Sequence, residues 1–212
     1  MGIAAVLSLA DRNYGYFFGL AVVLVIAREN EWDWSLFGFG QALSVRTILI
    51  ALGLAVLLFV GLGVVETFLQ LRFGKIDLSS VDDIRGDFVN YAILMAIMWV
   101  FAAFGEELLF RGYYMRETAR LLGGSTAAWL ASAVLISVYF GISHSYQGTA
   151  GAISVGMAGF YSSIIYFANR RNLALVALMH GFYDSIGLTL IYFDKYDAIS
   201  GWVLYIFGRH PA

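Results

Sequence analysis

The chain has 212 residues, of which 60% are hydrophobic and only 13% are charged, with a formal net charge of −2. A soluble domain carries about twice that share of charged residues, so the composition excludes an ordinary soluble enzyme and indicates a polytopic membrane protein. The lack of cysteine excludes disulfides, a cysteine nucleophile and zinc sites built on cysteine. The scattered basic residues form no patch for nucleic acid, so we expect the lipid bilayer, and no nucleic acid, as a partner.

The first 87 residues contain two apolar runs and two polar connections. Tyr14 to Ala27 is slightly short for a layer about 30 Å thick. Thr47 to Leu69 is an unbroken span, and Glu66 near its end is assigned to the membrane interface. A charged loop follows and ends at Asp87, whose side chain suits the N-cap of the next helix.

The next segment is predicted to be one long helix from Phe88 to about Leu122, because no Pro or Gly cluster interrupts it before Gly123. A break at Gly105 is the alternative. Further spans follow at Thr126 to Ser145, Ala150 to Ala168 and Leu173 to Phe193, and a short apolar segment at Ala198 to Phe207. The sequence therefore predicts an all-α membrane bundle of about six to eight transmembrane helices.

The long helix carries Glu106, Glu107 and Arg111 within an apolar stretch. Each charge costs roughly 2.5–3.5 kcal/mol at a bilayer centre, so unpaired charges there need a functional reason. Glu107 and Arg111 are four residues apart and are predicted to form an ion pair. Glu106 is rotated by about 100° on the helix, so we identify it as the carboxylate available for chemistry.

Two later spans carry polar residues at the same helical spacing. His144 follows Phe140 by four residues, and Asp184 follows His180 by four. Lipid offers these side chains no partner, so their faces must turn inward toward Glu106 and form a buried polar chamber. The third histidine, His210, lies in a polar tail and is expected to be solvated.

These residues resemble the CPBP family of intramembrane endopeptidases, which comprises CAAX proteases and bacteriocin-processing (Abi-type) proteins. The family signature is Glu-Glu-x-x-x-Arg, then Phe-x-x-x-His, then His-x-x-x-Asn or Asp, on successive spans. All three motifs occur here in order within residues 88–193. The resemblance implies a catalytic membrane domain at 88–212 with its core at 88–193. Residues 1–87, which are predicted to form N-terminal transmembrane helices and connecting loops, lie outside it.

The resemblance also implies a role for each motif residue. Glu106 would be the general base that takes a proton from water, and His144 would hold that water. His180 would donate to the developing oxyanion. Glu107 and Arg111 would orient the helix face. Asp184 stands where the motif often has Asn, and a carboxylate donates only when protonated, so Asp184 would instead accept from His180 and fix its tautomer.

The predicted function is therefore CAAX-type proteolysis of a membrane-associated peptide or protein. The resemblance implies that the substrate is lipidated for some members of the family. The expected location is the plasma membrane, as a multi-pass protein, and no cofactor is expected.

Three alternatives remain open. Glu106, His144 and His180 would also form a catalytic zinc site, which implies metalloendopeptidase activity. The same acids and histidines would serve a proton-coupled transporter, although no internal repeats are found. A family member that binds a peptide without cleaving it, as an immunity protein, is the third.

Overall fold

The computed structural model describes residues 12–41 and 43–207, and these form an all-α bundle. The all-α prediction is thus confirmed. The main helices are α1 (Arg12–Glu29), α2 (Val45–Phe73), α3 (Phe88–Leu121), α4 (Thr126–Ser143), α5 (Gly148–Ala168), α6 (Leu173–Tyr192) and α7 (Ala198–Ile206). Short 3₁₀ turns lie at Trp34–Phe37, Ser79–Ile84 and Ser145–Gln147. The prediction for His210 falls outside the described residues.

Five of these helices, α2 to α6, are long and apolar enough to cross a membrane within the described part of the chain. That number is lower than the six to eight predicted. Helix α1 includes three charged residues, and α7 has only nine residues, about 14 Å of helix, which is less than half of a hydrocarbon core. The outward faces of the spans expose large apolar side chains such as Leu57 and Val100, as a lipid-facing surface requires.

Helix α3 begins where the sequence predicts. Asp87 accepts hydrogen bonds from the backbone N–H groups of Val89 and Asn90 and so caps the helix. The helix is not broken at Gly105. Its central part is instead π-helical, at Met98–Glu106 and Leu108–Met115. Such wide turns are rare and occur mostly at functional sites, and here they contain Glu106 and Arg111, with Glu107 between the two segments.

Small residues bring the site helices together. A Cβ atom added at Gly141 of α4 would lie 2.5 Å from the Ala152 carbonyl oxygen of α5. One added at Gly181 of α6 would lie 2.3 Å from the ring of Trp99 on α3. Only glycine permits these approaches without displacing the neighbouring atoms. As a result, α3, α4 and α6 enclose one cavity.

Candidate active site

The polar residues of all three motifs line a single cavity of about 670 Å³. Glu106, Glu107 and Arg111 come from the middle of α3, His144 directly follows the end of α4, and His180 and Asp184 lie on α6. The volume is within the range of small-molecule and peptide pockets. The structure thus brings together the six residues that the sequence singles out.

The site contains a buried ion pair between Glu107 and Arg111. Arg111 Nη1 donates to Glu107 Oε1 at 2.9 Å, and both side chains are only 1% exposed. Arg111 Nη2 donates to the Gly159 carbonyl of α5 at 2.7 Å. The guanidinium also lies 4.9 Å from the centre of the Phe140 ring on α4. Arg111 therefore ties α3 to the two helices that follow it.

His180 lies between two carboxylates. Its Nδ1 is 2.9 Å from Glu107 Oε1, and its Nε2 is 3.3 Å from Asp184 Oδ2. An ionised carboxylate only accepts hydrogen bonds, so the two contacts are both satisfied when His180 carries a proton on each nitrogen. The imidazolium and Arg111 then balance the charges of Glu107 and Asp184. The longer contact, to Asp184, is the weaker of the two.

His144 has its tautomer set by the backbone. Its Nδ1 lies 2.9 Å from the carbonyl oxygen of Phe140, and a carbonyl only accepts, so Nδ1 carries the proton. Nε2 of the neutral ring is then an acceptor. The Phe140 ring supports the imidazole from the side, with 4.7 Å between the two ring centres. The Phe-x-x-x-His spacing thus fixes both the tautomer and the position of His144.

The acceptor nitrogen of His144 faces Glu106. His144 Nε2 lies 4.0 Å from Glu106 Oε1, which is too long for a direct hydrogen bond. A water about 2.8 Å from each atom would bridge this separation. Both atoms are acceptors when Glu106 is ionised, so that water would donate one hydrogen to each and direct its oxygen lone pairs elsewhere.

The geometry does not support the zinc alternative. Among residues 12–41 and 43–207, no group of three His, Cys, Asp or Glu side chains is arranged to hold a metal ion. His180 already directs both ring nitrogens at carboxylates, so Glu106, His144 and His180 do not present three donors to one point. The arrangement of these residues therefore does not support metalloendopeptidase activity.

The cavity is also lined by residues outside the motifs, among them Glu66 and Tyr16. Glu66 on α2 was assigned to the interface, but that assignment is wrong: its side chain is buried, with 8% exposed, and accepts a hydrogen bond from Ser154 of α5. Tyr16 on α1 donates to the Phe101 carbonyl in the π-helical part of α3, at 2.6 Å. A lone acid in an apolar span was the only sequence signal for Glu66, and nothing in the sequence pointed to Tyr16.

Comparison with known families agrees with the site. Residues 88–186 match the family described as Type II CAAX prenyl endopeptidase Rce1-like, and this range contains every motif residue from Glu106 to Asp184. No curated protein and no solved structure gives a significant match. The matched family is one of proteases, and five apolar helices make the chain an integral membrane protein. The match supports the resemblance of residues 88–186 to the CPBP family of CAAX-type intramembrane proteases.

Proposed function

We propose that the protein hydrolyses a peptide bond of a membrane-associated peptide or protein, with a water molecule activated by Glu106 as the nucleophile. The observation that carries the proposal is the 4.0 Å separation between Glu106 Oε1 and His144 Nε2, two acceptors at one end of a buried charge network. This pair has the geometry to hold a water and the basicity to remove its proton.

The proposed reaction has two steps. The bridging water attacks the peptide carbonyl: its oxygen forms a bond to the carbonyl carbon, its proton passes to Glu106, and the carbonyl π electrons move to the oxygen. In the second step the C–N bond breaks, and the leaving nitrogen takes the proton from Glu106. His144 stays neutral throughout and orients the water through Nε2.

The developing oxyanion needs a fixed donor. His180 Nε2–H is the proposed donor, because its 3.3 Å contact with Asp184 is long and can give way to a stronger acceptor. His180 Nδ1 remains bound to Glu107 at 2.9 Å, which holds the ring in place during the exchange. In the resting site Asp184 accepts from His180 Nε2 and so keeps that nitrogen protonated and oriented as a donor. It positions the donor and makes no direct bond to the oxyanion.

The substrate is proposed to be a membrane-associated peptide, and the family description favours a prenylated CAAX tail. Apolar side chains such as Leu58, Phe59 and Ile97 line the cavity beside the polar residues, which suits a lipidated or apolar segment. The plasma membrane is the proposed location.

The test is a cleavage assay with purified protein in liposomes and a library of membrane-tethered peptides, with and without a prenyl group. Wild type, Glu106→Ala and His144→Ala are compared in the presence and absence of a chelator. The proposal expects cleavage by wild type, loss in both variants, and no effect of the chelator. Cleavage that is lost with chelator and regained with zinc would refute water activation by Glu106 alone. Proton flux without cleavage would refute proteolysis.

A further inference from the structure

Glu66 is a second buried carboxylate in the cavity of the active site. It lies on α2, outside the region that matches the protease family, and its side chain is 8% exposed. The cavity that it lines is the one lined by Glu106 and His180. A substrate in this cavity would therefore be within reach of both carboxylates.

The partners of Glu66 are hydroxyl groups. Ser154 Oγ donates to Glu66 Oε1, and the Tyr196 hydroxyl lies near the same carboxylate in the cavity. Burial, together with the nearby Glu66, raises the pKa of Tyr196, so its hydroxyl keeps its proton and can donate. Within the described segments Glu66 forms no ion pair, so no cation compensates its charge.

The contrast with Glu107 indicates what Glu66 lacks. Glu107 is also buried but accepts from two cationic groups, those of Arg111 and His180. Two hydroxyl donors fill only part of the capacity of a carboxylate, which has about four acceptor positions. If its role were only to tie helices together, a hydroxyl would suffice, as the neighbouring Thr67 does with Ser200 of α7 at 3.2 Å. A carboxylate at this position is instead suited to bind a positively charged group of a ligand that enters the cavity.

We propose that Glu66 is a specificity subsite that binds a basic side chain, Lys or Arg, of the peptide substrate. The inference rests on the proposed function and adds a recognition element to it. Leu58 and Phe59, about 10–12 Å before Glu66 along α2, line the same cavity and would contact the apolar stem of that side chain or its neighbours. Glu66 would thereby fix which residue of the substrate lies beside Glu106.

The test uses paired membrane-tethered peptides that differ at one position, with Lys in one and norleucine in the other. Norleucine has the same apolar stem without the charge. The pair is scanned through the four positions on either side of the scissile bond. For wild type, kcat/KM is expected to be at least tenfold higher for the Lys peptide at one or two adjacent positions. In Glu66→Gln the ratio should fall to about one, and Glu66→Asp should retain a preference.

A binding measurement separates this inference from the proposed function. The same peptide pairs are titrated against Glu106→Gln protein, with and without Glu66→Gln. A Lys preference in binding that Glu66→Gln removes would support the subsite even if no peptide were cleaved. The control is Glu117→Gln, whose carboxylate pairs with Arg120 at the end of α3 and should leave the preference intact.

The inference is overturned if wild type binds and cleaves Lys and norleucine peptides equally at every position. It is also overturned if a preference exists and Glu66→Gln leaves it unchanged. Equal binding and cleavage of the two peptides by wild-type protein would overturn the inference even if Glu66→Gln fails to fold, and in that case Glu66→Asp tests whether a preference depends on this carboxylate.

Discussion

Replacing Arg111 by Met tests the charge network beneath the proposed catalytic residues. Met has a similar length but neither charge nor donors, so the variant loses the 2.9 Å bond to Glu107 and the 2.7 Å bond to the Gly159 carbonyl. Glu107 is then a buried carboxylate with His180 as its remaining cationic partner. Breaking a buried ion pair from one side costs about 3–5 kcal/mol, so we expect the free energy of unfolding to fall by that amount.

The measurement is unfolding in mixed micelles, with a denaturing detergent titrated against a mild one and helicity followed by circular dichroism. Arg120→Met is the matched control, because Arg120 is 68% exposed and its ion pair with Glu117 should contribute less than about 1 kcal/mol. Adding Glu107→Gln to Arg111→Met should recover part of the loss, since the uncompensated charge disappears. The reasoning is refuted if Arg111→Met costs no more than Arg120→Met, or if the double variant is no more stable than the single one.

Four other outcomes are expected. Glu106→Gln should reduce the cleavage rate by about 10²–10⁴-fold with little change in unfolding, and a smaller loss would contradict its role as the base. Asp184→Asn should keep cleavage within about tenfold of wild type, because an amide oxygen still accepts from His180 Nε2; complete inactivity would show that the carboxylate charge is essential. Gly181→Ala should lower the free energy of unfolding by about 1–3 kcal/mol, since its Cβ would lie 2.3 Å from the Trp99 ring. Gly53→Ala is the control and should not destabilise the protein, because no atom lies within 4 Å of the added Cβ. Equal effects of the two substitutions would argue against this packing. Dialysis against a chelator should leave cleavage unchanged, and a loss restored by zinc would count against a metal-independent site.

The sequence was sufficient to predict contacts between side chains that lie on the same helix. The four-residue spacing predicted the Glu107–Arg111 ion pair, and the structure has it at 2.9 Å. The same spacing placed His180 beside Asp184, at 3.3 Å. These contacts follow from helix geometry, which sequence spacing determines. The bounds of the spans were also predicted closely, because they depend on local hydropathy and caps such as Asp87.

Contacts between helices could not be read from the sequence. His144 lies at the end of its helix, and His180 is the eighth residue of its own. Whether the two imidazoles lie at the same depth in the membrane therefore depends on how the helices are offset and tilted. In the structure they reach consecutive carboxylates, Glu106 and Glu107. The π-helical course of α3 had no signal either, since its residues resemble those of any apolar helix.

Glu66 was misassigned because hydropathy indicates how deep a residue lies in the membrane but not which side of the helix faces the protein interior. An acid near the end of an apolar span is equally compatible with the headgroup region and with a polar interior. The presence of Ser154 on α5 decides between them, and that contact joins residues 88 positions apart. The division of the chain at residue 87 stays a prediction.

In the proposed mechanism Glu106 acts as a base on water and not as a nucleophile itself. Single-turnover cleavage in H₂¹⁸O, followed by mass spectrometry of the product and of the peptide containing Glu106, tests it directly. General-base catalysis leaves one ¹⁸O in the new carboxyl group of the product and none in Glu106. Label in the Glu106 carboxylate would mean that this side chain attacked the substrate, which would refute general-base catalysis by Glu106.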